Sequence, residues 1–106
     1  MRKNMRKQNN VRILILLSIL LLLQTAYAQK EVDSILEKAN VLIYENPDRA
    51  ILLAQQAYNY PDASVKNKVN ALLAISTAYS SKRDYNKAAE YVERIKGLIR
   101  DIKNKR

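Results

Sequence analysis

Residues 69–102 carry two apolar stripes with a helical period. In the first, Leu72, Ile75, Ser76 and Tyr79 fall at i, i+3, i+4 and i+7, on one face of a helix. The second stripe advances by steps of four, three, four and three residues: Ala88, Val92, Ile95, Ile99 and Ile102. Only the short polar segment 80–84 separates them. The pattern therefore predicts an antiparallel hairpin in which each helix is the other's first packing partner.

A first helix is predicted over residues 30–44. Its apolar positions share one face: Val32, Ile35, Leu36, Ala39, Leu42 and Ile43. Its start is capped by Asp33, or by Ser34 with Glu37 three residues on as a capping pair, or both Asp33 and Ser34 lie inside a helix that has already begun at Lys30.

A second helix is predicted from Pro47 to about Tyr58. Asn46 is a good N-cap, and proline is tolerated at the first helical position. The residues expected to point inward are mostly small: Ala50, Leu53, Ala54 and Ala57. The residue before Pro61 resists helical geometry, so the helix should end in this region.

The third and fourth helices form the hairpin. The third can start at Asp62 or Ser64 and continue to Tyr79 or Ser81. The fourth should start after Asp84, a plausible N-cap, and can run to the end of the chain.

The N-terminal 28 residues have the three parts of a secretory signal. Five cations precede an apolar run, Ile13–Leu23, that is interrupted only by a serine. Ala26 and Ala28 then supply the small residues expected before a cleavage site at Gln29. The rival interpretation is an uncleaved anchor, although 11 residues are short against the roughly 20 needed to span a bilayer. Both place the residues after 30 on the exported side, either periplasmic or secreted, or anchored to the inner membrane.

Composition favours one small all-α domain. The 106 residues include one glycine and two prolines, which leaves little material for turns or sheets. Five of the 19 basic residues precede the apolar run, so the remaining 14 stand against 10 acidic residues, a balance of only +4. The overall charge of +9 is thus largely a targeting feature, and a nucleic-acid partner is not expected.

No catalytic function is predicted. The chain has no cysteine and no histidine, so thiolate chemistry and the commonest general base and metal ligand are missing. Glu90 and Glu93 read as surface residues, since Glu90 stands four residues before Arg94. The single glycine, Gly97, rules out a glycine-rich phosphate loop, and the acids are scattered. We therefore expect no enzyme, no cofactor and no metal.

The seven tyrosines either seal the rim of a small core or anchor an interface.

Residues 71–98 resemble a tetratricopeptide repeat, a helix-turn-helix unit of 34 residues. Leu72, Ile75 and Tyr79 match large family positions, and residues 84–88 match the turn and the small residue, Ala88, where the helices touch. A weaker second copy lies upstream, in residues 46–50 with Ala54 and Ala57. The departures are Ser76 for the usual glycine, Ile95 for alanine and Arg100 for proline. The first two add bulk where the helices approach each other.

The resemblance implies an all-α solenoid of about four helices in residues 29–106, after a signal segment in residues 1–28. The residues expected to pack the repeats are Leu72, Ile75, Tyr79, Ala88, Val92, Ile95, Ala50, Ala54 and Ala57. The arrangement is similar to the exported repeat regions of bacterial sensor kinases and regulators, in the sensor half only.

Two functions are expected from these features. The first is a non-catalytic module that binds a protein or peptide in a helical groove. The second is a membrane-anchored protein whose basic last helix contacts acidic lipid. Repeats bury their faces by stacking, and Leu98, Ile99 and Ile102 leave the last helix apolar. Either a partner covers that face, or the protein forms a homo-oligomer, or the chain corresponds to the front part of a longer protein.

Overall fold

The computed structural model describes residues 2–105, with side chains from Lys7 onward. Four α-helices follow one another: α1 (Arg2–Leu42), α2 (Pro47–Tyr58), α3 (Val65–Ser81) and α4 (Tyr85–Asn104). Residues 2–105 contain no β-strand. The predicted all-α class is therefore confirmed.

Three helices begin at side-chain caps, of which Asn46 and Asp84 are predicted from the sequence and Ser64 is one of two predicted alternatives, with Asp62. The Asn46 side chain accepts a hydrogen bond from the backbone N–H of Arg49 at 3.2 Å. Ser64 caps α3 and Asp84 caps α4 in the same way, each through the N–H three residues on. These caps satisfy backbone donors that the first helical turn leaves unpaired.

The first helix differs from its prediction. A continuous helix runs from Arg2 to Leu42, so Asp33 and Ser34 lie inside it and cap nothing. The chain has no proline or glycine before Pro47, and therefore no strong helix breaker separates the apolar run from residues 30–42. At 1.5 Å per residue, this helix is about 60 Å long.

The core lies between successive antiparallel helices. α2 packs between α1 and α3, and α4 packs on the other side of α3, while α1 also reaches α3. Small residues allow these close approaches; the buried alanines are Ala39, Ala50, Ala54, Ala57, Ala71, Ala74, Ala78 and Ala88. Lys82, at the C-terminal end of α3, binds Asp48 in the first turn of α2. Their hydrogen bond raises the pKa of the Lys82 ammonium group.

A hydrogen bond ties the two helices of the C-terminal hairpin. The hydroxyl of the buried Ser76 donates to the backbone carbonyl of Ala88 at 2.9 Å. The hydroxyl that serine adds at this position thus makes a polar contact between α3 and α4. The bond also satisfies the hydroxyl, which would otherwise be costly to bury.

Enlarging Ala88 should destabilise this contact. We expect Ala88→Leu to lower the free energy of unfolding by about 1–3 kcal/mol, because the site is closely packed and has no room for three more carbons. Ala89 is exposed, so Ala89→Leu is the matched control and should change stability far less. Urea denaturation measures both. Equal losses would show that the hairpin does not close at Ala88.

Candidate functional site

A groove of about 670 Å³ opens between α1 and α3, and we call it the α1–α3 groove. Its lining residues come from two stretches: Asp33, Leu36, Glu37, Asn40, Val41 and Ile43 from α1, and Asn70, Leu73, Ala74 and Thr77 from α3. The floor is formed by buried residues such as Leu36 and Ala74. α1 and α3 sit side by side here because the alanines of α2 allow both to pack closely on it.

One wall of the groove is acidic. Asp33 and Glu37 are one helical turn apart on α1, and both are exposed. Among the side chains described, neither carboxylate has an ion-pair partner. This wall is therefore able to attract a cation from another molecule.

The groove also offers apolar and amide contacts. Val41 is 66% exposed and Leu73 is 53% exposed, so each presents a large apolar side chain to solvent from opposite walls. Asn40 and Asn70 are exposed as well, and each amide can both donate and accept a hydrogen bond. The Thr77 hydroxyl is already engaged, because it donates to the Leu73 carbonyl at 2.8 Å.

The residues predicted to pack the repeats are not all equally covered. Leu72, Ile75 and Ala88 are buried, as are the alanines of α2: Ala50, Ala54 and Ala57. Tyr79 and Ile95 are half-buried, whereas Val92 is 38% exposed. α4 packs on α3 alone among the described helices, so one flank of its apolar stripe has no neighbour.

Four of the tyrosines lie at the rim of the core. Tyr79 and Tyr91 stack between α3 and α4 with their ring centroids 5.7 Å apart. Lys87 and Arg94 lie over these two rings, respectively, at cation–π distances. Tyr58 and Tyr60 are half-buried and pack against the core cluster that includes Val32, Leu36 and Ala71.

The apolar N-terminal half of α1 projects from the bundle. Its large side chains from Val11 to Leu23 are all at least 48% exposed. The helix is long and apolar enough to cross a membrane. A signal sequence near the N-terminus has the same length and composition, so these two properties do not distinguish an anchor from a signal. Ala26 is exposed and Ala28 half-buried, and both lie within the helix.

The predicted first residue after cleavage is held by the bundle. The Gln29 amide donates to the Asp62 carbonyl at 2.7 Å and accepts from the side chain of Asn67 at 2.7 Å. Asn67 is buried, so its hydrogen bond to Gln29 satisfies an amide group that would otherwise be costly to bury. The ordered bundle therefore includes Gln29.

Sequence reasoning did not identify the groove. Asp33 stood out only as a helix cap, and Glu37 only as part of a capping pair. Leu73 and Val41 were the available signals, because each is apolar yet falls outside the buried stripe of its own helix. Which two such positions meet depends on helix packing, which the pattern of one helix does not specify.

No metal-binding arrangement occurs in the described part of the chain, where no three acidic residues converge.

The sequence was compared with protein families, curated proteins and solved structures. No family model, curated protein or solved structure matches it.

Proposed function

We propose that this protein is an exported, non-catalytic module with tetratricopeptide-like repeats, which binds an extended segment of another protein in the α1–α3 groove. In this proposal residues 1–28 direct export, and residues 29–106 form the binding domain. The observation that carries the proposal is the groove itself, which combines exposed apolar side chains, exposed amides, and carboxylates that have no ion-pair partner among the described side chains.

An extended peptide suits these contacts. Its side chains alternate in direction, so apolar residues can contact Val41 and Leu73 while the peptide backbone lies near the amides of Asn40 and Asn70. Extended segments expose backbone donors and acceptors that a helix would use internally. A lysine or arginine in the segment can then reach the carboxylates of Asp33 and Glu37.

Binding of two designed peptides tests this proposal. We expect a peptide of alternating leucine and lysine to bind more tightly than one of alternating leucine and glutamate. In NMR spectra, the side-chain amide signals of Asn40 and Asn70 should shift on titration with the first peptide. Unchanged amide signals would contradict binding in the groove.

Charge reversal on the acidic wall provides the specificity test. The double variant Asp33→Lys, Glu37→Lys should weaken binding of the leucine–lysine peptide roughly tenfold, since two exposed attractions become repulsions. The control is Glu90→Lys, Glu93→Lys, which changes the net charge equally on α4, outside the groove. Equal weakening in both variants would show that net charge, and not the groove, governs binding.

A further inference from the structure

The end of α4 lies level with the base of the apolar half of α1. Ala88 stands opposite Ser76, which lies eleven positions after Val65, the first residue of α3. Eleven residues beyond Ala88 in the opposite direction is Ile99, so the last turns of α4 extend past the start of α3. Because Asn67 of α3 binds Gln29, this is also the level at which α1 leaves the bundle.

The last turns of α4 are amphipathic. Ile99 is 43% exposed and Ile102 is 42% exposed on one side of the helix. Arg100, Lys103 and Lys105 are exposed near them, against a single acid in this segment. Exposed branched side chains flanked by long cationic ones are typical of helices that lie at a lipid–water interface.

Aromatic residues mark the same level on the α1 side. A shallow groove of about 610 Å³ lies where the α2–α3 connection meets α1, and Leu23, Tyr27, Tyr60 and Pro61 line it. Tyr27 is exposed, and it lies four positions after Leu23, the end of the apolar run. Tyrosine is enriched where a membrane-spanning segment passes the headgroups.

We infer that, while α1 remains in the membrane, the last turns of α4 rest on its surface and bind anionic phospholipid headgroups. α1 and α4 then form two contacts with one bilayer: α1 crosses it, and the C-terminal end of α4 meets its surface. Ile99 and Ile102 enter the boundary of the acyl chains, and Lys103 and Lys105 reach the phosphates. This inference does not depend on the α1–α3 groove, which is formed by residues 33–43 and 70–77.

Charge favours lipid over a second copy of the chain as the occupant. Pairing two α4 helices through Ile99 and Ile102 would bring the cations of both copies together, and like charges in close proximity repel. An anionic headgroup layer instead neutralises each of these cations. A basic residue near such a surface contributes about 1 kcal/mol, or roughly fivefold in affinity.

Spin labelling tests the contact in the full chain. The sequence has no cysteine, so Ile102→Cys gives one defined site for a nitroxide label, and Leu52→Cys on α2 gives an exposed comparison site. The chain is made in a cell-free system without signal peptidase, in vesicles of phosphatidylglycerol and phosphatidylcholine. We expect the label at 102 to collide more often with oxygen than with a water-soluble nickel complex, and the label at 52 to show the reverse.

Charge variants test whether the label at 102 lies at the membrane because Lys103 and Lys105 bind anionic lipid. Lys103→Glu with Lys105→Glu should make the label at 102 accessible to nickel, as should vesicles of phosphatidylcholine alone. Lys38→Glu with Arg49→Glu makes the same charge change away from this end and should have no such effect. A label at 102 that is as accessible to nickel as the label at 52 would overturn the inference. Dipolar broadening between labels at 102 would overturn it too, because a second copy would then cover the helix.

Discussion

Replacing Leu72 by alanine should lower the free energy of unfolding by about 2–5 kcal/mol. Leu72 is only 2% exposed and is among the largest fully buried side chains of the described region. It lies on α3, the helix that packs against both α2 and α4, so a cavity at this position weakens both contacts at once. Small domains are stabilised by about 5–15 kcal/mol in total, and the loss is therefore a large fraction.

Leu73→Ala is the matched control for this substitution. The neighbouring residue undergoes the same chemical change but is 53% exposed, so little packing is lost. Urea denaturation followed by circular dichroism measures both variants. If the two midpoints fall equally, α3 does not present Leu72 to the core, and the assigned register of the hairpin is wrong.

The helix boundaries after residue 45 could be predicted because local chemistry sets them. Asn46, Ser64 and Asp84 each supply a side-chain acceptor to the first turn of a helix. These bonds reach only three residues along the chain, and they can be read without knowledge of the fold. The apolar stripes of α1 and α3 likewise indicated buried residues, since burial follows the helical period, whereas in the stripe of α4 only Ala88 is buried.

Contacts between distant residues could not be predicted in the same way. The α1–α3 groove joins Asp33 and Glu37 to Asn70 and Leu73, more than 30 positions apart, and its width depends on how closely α2 packs on both neighbours. The Gln29–Asn67 hydrogen bond spans 38 positions and arises from the same arrangement. Neither residue type nor spacing specifies such meetings.

The role of Ser76, a serine where the repeat resemblance has a glycine, can be identified only from the structure. In the sequence, its added bulk leaves the separation of the two helices open. In the structure its hydroxyl donates to the Ala88 carbonyl across the contact. The added oxygen therefore fills the space as a partner of the opposite backbone.

The continuous helix across residues 26–30 has a consequence for signal cleavage. Ala28 is half-buried beside the α2–α3 connection, and the next side chain, Gln29, is bonded to Asp62 and Asn67. A peptidase cannot readily reach a bond that is held in this way. Cleavage between Ala28 and Gln29, if the signal is processed as proposed, must therefore precede folding of the bundle.

Ala28→Arg should abolish that cleavage. The residue just before the cleaved bond must be small, and an arginine in its place does not fit the peptidase pocket. Intact-mass measurement on protein recovered from the exported fraction should then show the full chain, in place of a chain that begins at Gln29. Tyr27→Arg adds the same charge one position earlier, where alternation of an extended chain points the side chain away from the pocket, and it should still be processed. An unchanged N-terminus at Gln29 in Ala28→Arg would refute the assigned cleavage site. Retention of residues 1–28 in the unaltered protein would establish α1 as an anchor, because no processed chain would then exist for the substitution to prevent.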